Sequence, residues 1–310
     1  MRYAGLTLAI VSSWCFAFSG PMAKYLITAG LAPIEAVWTR MAAGLSLVAV
    51  LALIRPRALR ITRARSPFFG LYAVMAVAGV QWLYFAAITR LPVGIALLLV
   101  YMAGHGGGVG AARTEDTARA GRLCGGGRRV AGLGIVVEAW QEIRLDALGL
   151  LLGLLAGACS AGYFLMSDSF GDDIDPLGLI AWGMTGAAVV LIPFARPWDI
   201  QWDAFTITAT PAPGGGTLPV LVAYLWMVLV ATVIAYILAV NAVRRLSAAV
   251  GATVASLEVV AGAIVAWAPV GETLGVFQIA GGLIMLSGAL LAQTATRSSP
   301  IAQPESIKSI

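Results

Sequence analysis

Leu218-Pro-Val-Leu-Val-Ala-Tyr-Leu-Trp-Met-Val-Leu-Val-Ala-Thr-Val-Ile-Ala-Tyr-Ile-Leu-Ala-Val-Asn241 contains no charged side chain. A helix needs about 20 consecutive apolar residues to cross a ~30 Å hydrocarbon core, so this stretch reads as a membrane span. Comparable runs lie at 4–23, 34–54, 68–89, 147–167, 176–195, 247–268 and 273–293, and shorter ones at 93–103 and 130–140. The composition agrees: 60% hydrophobic residues, 11% charged and a mean hydropathy of +0.89, against about 25% charged in soluble domains. Lipid leaves no water to satisfy backbone polar groups, so runs of this length must be helical. The expected fold class is an all-α polytopic membrane protein. The run at residue 4 follows one basic residue, lacks a small-residue cleavage site and leads straight into more spans; it reads as span 1 rather than a removable signal peptide.

Placing the N-terminus inside and counting ten crossings puts Arg2, Arg55, Arg57, Arg60, Arg63, Arg65, Arg113, Arg119, Arg122, Arg128, Arg129, Arg244, Arg245, Arg297 and Lys308 on the cytoplasmic side. Lys24, Arg90, Arg144 and Arg196 fall outside, and Arg40 lies within span 2. Cytoplasmic loops carry the excess of Lys and Arg. Both termini are therefore expected in the cytoplasm, in a multi-pass protein of the plasma or inner membrane.

The chain also repeats itself. Ala32-Pro33 opens a run ending at Arg55-Pro56, and Asp175-Pro176 opens one ending at Arg196-Pro197. Span 3 leads into Arg90-Leu91-Pro92, and span 8 into Arg244-Arg245-Leu246. A duplicated unit with an odd number of spans enters the membrane from the opposite side the second time, which makes an inverted repeat. The expected architecture is two five-helix units, nominally ten transmembrane helices. The first repeat covers 1–145, the second 146–295, and 296–310 forms a cytoplasmic tail.

The duplicated unit, the Arg-Leu-Pro entry to span 4, Leu257-Glu258-Val259-Val260 and the Gly271-Glu272 turn together resemble the EamA branch of the drug/metabolite transporter superfamily. That resemblance implies a secondary transporter moving a small metabolite or amino acid, in the efflux direction, by alternating access between the repeats. The family's span 4 reads Leu-Glu-Tyr and continues apolar. Here Leu99-Val100-Tyr101 places valine where the family has glutamate, and the apolar continuation stops at Gly104.

From Gly104 to Arg129 the chain holds 26 residues with nine glycines and seven charges. Helices 4 and 5 are thus expected to be truncated or disrupted around 104–129, since an 11-residue stump rises only ~16 Å. Two readings remain open. Gly-rich charged sequence cannot bury enough apolar surface to offset its ordering entropy and forms solvated loops. Alternatively the segment is read out of frame: one base along, Gly106-Gly107-Gly108 yields Val, Ala, Gly or Glu codons, and Glu115-Asp116 yields Lys or Arg, which restores a span, a basic loop and a span. On the second reading the alternative function is that of an inactive product of a frameshifted transporter gene, or the sequence itself is in error.

Charged or strongly polar groups inside spans are costly and mark function by default. Glu258, midway along span 9, is the leading coupling candidate. Arg40 is either an anion-binding or gating cation, or snorkels to the outer headgroups. Trp14, Tyr163, Gln81, Tyr84 and Asn241, with Tyr236, complete the substrate-path list, Trp14 and Tyr163 occupying comparable places in the two repeats. Glu272 reads as a membrane-interface residue, and Trp38, Trp182, Trp202 and Trp267 as belt residues. Gly149, Gly153 and Gly157, small residues at every fourth position, suggest close helix packing. Cys15, Cys124 and Cys159 make no disulfide framework.

Enzymatic chemistry is not expected. His105 is the only histidine, so neither a Ser-His triad nor a His-pair metal site can be completed. Gly106-Gly107-Gly108-Val109-Gly110-Ala111 lacks the βαβ context of a dinucleotide loop, and no Walker sequence occurs. No catalytic residue, metal or cofactor is expected. The expected partners are a small-molecule substrate, membrane lipid and, as an open arrangement, a second copy in a homodimer; nucleic acid is not among them.

Overall fold

A computed structural model describes residues 2–59, 70–104, 131–132, 135, 146–169, 175–243, 257–272, 274–276, 279–284 and 287. The polar patch beyond Gly104 and the tail from 296, with the readings made of them, lie outside the described residues.

The described chain is almost wholly helical. Helices α1 (Arg2–Ala17) and α2 (Ser19–Thr28) meet at a single turn residue, Phe18, and together make the apolar stretch Ala4–Thr28. Helices α3 (Pro33–Ala42) and α4 (Gly44–Ile54) likewise compose Pro33–Ile54. Pro33 fits the first helical position, where no amide partner is needed, and the Glu35 carboxylate accepts the Ala32 amide at 2.8 Å. A 3-10 turn, Pro56–Leu59, follows. Next come a π-helical segment, Tyr72–Gly79, then α5 (Val80–Ile88) and α6 (Val93–Gly104).

The second half opens with α7 (Ala147–Ser169) and α8 (Pro176–Ala195). Asp146 ahead of α7 accepts the Gly149 amide at 2.9 Å and pairs with Arg90. The Gly149 amide first, and then Arg90, hold this exposed carboxyl below the usual carboxylate range. Asp175 caps α8 by accepting the Leu177 amide at 3.0 Å, and Arg196 in the left-handed region, followed by Pro197, ends it. A two-stranded antiparallel hairpin pairs β1 (Thr208–Ala209) with β2 (Leu218–Pro219). Helices α9 (Val220–Val228) and α10 (Ala235–Val243) flank a second π segment, Leu229–Ile234. Helix α11 (Leu257–Val265) runs into a third, Ala266–Val270.

Four of the described helices are long and apolar enough to cross a membrane: Ala4–Thr28, Pro33–Ile54, Leu177–Ala195 and Val220–Ala239. Shorter apolar helices cover Tyr72–Ile88 and Ala147–Gly162. Large apolar side chains such as Leu53, Ile54, Val189, Leu221, Leu225 and Leu229 are exposed, a surface suited to acyl chains and not to water. The protein is a multi-pass membrane protein.

Helices from the two halves pack against each other. Arg55, just after α4, pairs with Asp175 at the start of α8 at 3.5 Å. The Trp38 indole donates to Ala188 O and the Trp182 indole to Leu59 O, each at 3.1 Å. Helix α3 thus gives a tryptophan to the backbone of α8, and α8 gives one to the 3-10 turn that follows α4, so α3–α4 and α8 run antiparallel. Helices α6 and α11 are also antiparallel: Gly94 lies beside Ala263, Leu97 beside Gly262, and Tyr101 beside Glu258.

Candidate functional site

Arg40 lies in α3, on the face turned inward, and is 3% exposed. It does not snorkel. Burying a cation is costly unless its donors are matched, and the guanidinium meets groups from three other spans. Nε donates to Thr232 Oγ1 at 3.1 Å; Nη1 donates to Ser19 Oγ and to Gln81 Oε1, the latter at 2.7 Å. Nη2 makes a long contact, 3.4 Å, with Ala231 O. The Phe85 ring lies 5.8 Å from the guanidinium carbon, a cation–π distance.

Two of these partners belong to the π segment Leu229–Ile234. Wider π turns release carbonyls from the ordinary i to i−4 ladder. Thr232 Oγ1 donates to Met227 O five residues back at 2.9 Å, leaving its lone pairs free to accept from Arg40. Gln81 stands just after the π segment of the first half. The irregular helices therefore meet at the buried charge.

Glu258, in the first turn of α11, accepts a hydrogen bond from the Tyr101 hydroxyl of α6. Arg40, Tyr84 and Glu258 lie close enough to interact electrostatically. Tyr101 sits in Leu99-Val100-Tyr101 and its partner in Leu257-Glu258-Val259, so α6 contributes the hydroxyl while the carboxylate comes from α11. Tyr101, Ser19 and Thr232 were not on the sequence-derived list. Tyr101 had entered only as part of the span 4 pattern Leu99-Val100-Tyr101, and nothing local pointed at the two hydroxyls.

The remaining candidates are scattered. Trp14 is on the exposed surface of α1, 40% accessible, and the side chain of Tyr163 lies outside the described residues. The side-chain amide of Asn241 donates to Ile237 O within its own helix at 2.7 Å. Tyr236 packs edge-on against Phe16, centroids 4.8 Å apart. Trp202 and Trp267 are exposed, whereas Trp38 and Trp182 tie the halves together. Gly149 and Gly153 face Leu91 and Leu99, where a β-carbon would approach to 2.9 and 2.5 Å; Gly157 is buried on the same helix. Cys15 and Cys159 are free thiols. Among the described residues no group of His, Cys, Asp and Glu could hold a metal.

At one end of the helices a second network closes. Lys24 pairs with Glu272, whose other carboxylate oxygen accepts the Val93 amide at 2.8 Å, at the start of α6. The Tyr25 hydroxyl lies 2.7 Å from Pro269 O and 2.9 Å from Gly216 O, and the Gly216 amide donates to Pro269 O at 2.8 Å. Gly271, at φ +78° and with the Gly215 backbone within 3.0 Å of where a β-carbon would be, suits only glycine. Glu272 is thus a cross-link between spans and not merely an interface residue. Lys24→Met is expected to cost about 2 kcal/mol, less than a fully buried pair because both side chains keep some water contact. The exchange Lys24→Glu with Glu272→Lys should recover only part of that loss, since lysine cannot accept the Val93 amide; complete recovery in a thermal melt would contradict the assigned geometry.

Comparison with known proteins agrees with this architecture. Residues 147–294 match the EamA-like transporter family. An uncharacterized transporter, YwfM of Bacillus subtilis (strain 168), is 26% identical over 174 residues, 56% of this chain and 55% of that protein; the chain's match thus spans about half the length of this relative. A crystal structure described only as that of a protein shares the fold at a TM-score of 0.61, with 14% identity, over 96% of this chain and all of that one. On these grounds the second half of the chain, residues 147–294, is similar to the EamA-like transporter family.

Proposed function

We propose that the protein is a secondary transporter of the plasma or inner membrane that exports a small metabolite or amino acid by alternating access between two inverted repeats, both termini being cytoplasmic. The observation that carries this reading is the buried Arg40, held by Ser19 and Gln81 from the first half and by Thr232 and Ala231 from the second. Substrate sites of inverted-repeat carriers lie at such a repeat interface, near irregular helices. The antiparallel packing of α3–α4 against α8 and of α6 against α11, together with π segments in spans 3 and 8, supports the inverted repeat.

Glu258 is the proposed proton-coupling group. A carboxylate inside a span can load and release a proton, and its exchange between the two faces is what a pH gradient drives. Tyr101 sets the position of that carboxylate. The purified chain, reconstituted in proteoliposomes with an imposed pH gradient and offered radiolabelled amino acids and small metabolites, is expected to move solute. Glu258→Gln should abolish the gradient-driven flux while remaining inserted and folded. Undiminished flux in Glu258→Gln would remove that role; no flux from the unaltered chain would remove the transport reading itself.

A further inference from the structure

The segment joining α8 to α9, residues 196–219, is folded onto the helix ends. The 3-10 turn Trp202–Thr206 fixes its base, where the Phe205 ring packs edge-on against Tyr224 of α9, centroids 5.2 Å apart. The β1–β2 hairpin then carries the tip Gly214-Gly215-Gly216 to α2 and to the turn after α11.

The tip docks on backbone. Gly214 is at φ +85° and Gly271 at φ +78°. A β-carbon on Gly215 would lie 2.5 Å from Val270 O, and one on Gly271 would lie 3.0 Å from the Gly215 α-carbon, so two turns this close fit only as glycine. The Gly216 amide donates to Pro269 O, and the Tyr25 hydroxyl reaches both Pro269 O and Gly216 O. Tyr25 belongs to the first half and the two turns to the second, so this hydroxyl clasps the halves together. Lys24 and Glu272 make a second clasp beside it. The Glu272 carboxylate also takes the Val93 amide at the start of α6, an end where a helix favours negative charge.

Both clasps lie over the way to Arg40. Gly20, one turn inward from Lys24 on α2, packs against the Tyr84 hydroxyl and the Val93 side chain, and Ser19 next to it reaches Arg40. Lys24, with Arg90 and Arg196, marks the side assigned as outer. The Lys24 and Glu272 side chains are 20% and 10% exposed, so parting them strands no charge in a dry interior. The Tyr84 hydroxyl, buried beneath them with no hydrogen-bond partner among the described residues, adds a cost to the closed arrangement that opening would relieve.

We infer that Tyr25, the hairpin tip and the Lys24–Glu272 pair form a releasable strap that locks the outer ends of the two halves together, so that this structure is the state closed to the outside. The inference rests on the alternating-access reading and names the outer lock of that cycle. Opening requires the Tyr25 hydroxyl and the Lys24 ammonium to leave their acceptors in the second half, while the base of the segment stays on α9.

The test follows outer access to Ser19. In the full chain with Cys15, Cys124 and Cys159 replaced by serine, Ser19→Cys is challenged in sealed, oriented vesicles with a membrane-impermeant maleimide from each face. Tyr25→Phe removes only the clasping hydroxyl; Glu272→Gln loses the ion pair and keeps an acceptor for the Val93 amide. Each is expected to speed labelling from the outer face about three- to tenfold, the population shift that losing one such bond allows, without speeding it from the cytoplasmic face. Unchanged outer labelling in both variants overturns the inference, and so does an equal rise from both faces, which marks a merely structural cross-link. Flux of the unaltered chain in proteoliposomes separates the two levels: transport with outer labelling indifferent to both variants removes the strap alone, and strap-dependent labelling without transport of any solute removes the transport reading alone.

Discussion

Arg40→Lys is expected to abolish solute flux and to lower the stability of the protein by about 3–6 kcal/mol, read from denaturation in micelles. The planar guanidinium reaches Thr232, Ser19 and Gln81 at once. A lysine ammonium is a point charge that cannot span acceptors arriving from three different spans. It would keep the buried charge and lose two hydrogen bonds to it, worth about 1.5–3 kcal/mol each. Arg40→Met should be less destabilising than Arg40→Lys, because it removes the charge together with its donors and fills much of the same space. It should be equally inactive. A lysine variant as stable as the parent and still transporting would mean that the fork geometry is irrelevant.

The second large effect is steric. A β-carbon on Gly178 would lie 1.8 Å from the carbonyl oxygen of Ala58 and 2.8 Å from its carbon. The first turn of α8 must therefore separate from the Pro56–Leu59 turn, which threatens the Arg55–Asp175 pair and the Trp182 to Leu59 hydrogen bond. Gly178→Ala is expected to cost about 3 kcal/mol, at the upper end for overpacking because a backbone carbonyl cannot rotate away. Gly162, with nothing within 4 Å of its would-be β-carbon, is the control. Gly162→Ala should stabilise by about 0.5–1 kcal/mol through helix propensity alone. If the two variants melt together, the close approach of the two halves is wrong.

Much of the architecture was readable from the chain. Uncharged runs place the spans, and Ala32-Pro33 and Asp175-Pro176 mark helix starts because proline fits only where no amide partner is needed. Arg40 and Glu258 stand out because charge is rare in these runs. Their surroundings were less legible. Whether Arg40 faces lipid, headgroups or the interior depends on the rotation of α3, and its partners Ser19 and Thr232 are ordinary hydroxyls 21 and 192 positions away. The Tyr101–Glu258 contact spans 157 positions and needs the antiparallel crossing of α6 and α11 to be known first. Lys24 read as an outside charge and Glu272 as a membrane-interface residue, since local pattern carries no information about an ion pair 248 positions apart. Trp14 was suggested by repeat position alone, and its side chain is exposed on α1.

Alternating access requires that the interface around Arg40 opens to one side of the membrane at a time. Ser19 touches Arg40 and is 6% exposed. With Cys15, Cys124 and Cys159 replaced by serine, a cysteine at Ser19 can be challenged with a membrane-impermeant thiol reagent from each face of sealed, oriented vesicles, with and without a pH gradient. Alternating access predicts labelling from one face only, transferring to the other face when the gradient is reversed; simultaneous labelling from both faces, or none from either under any gradient, would contradict it.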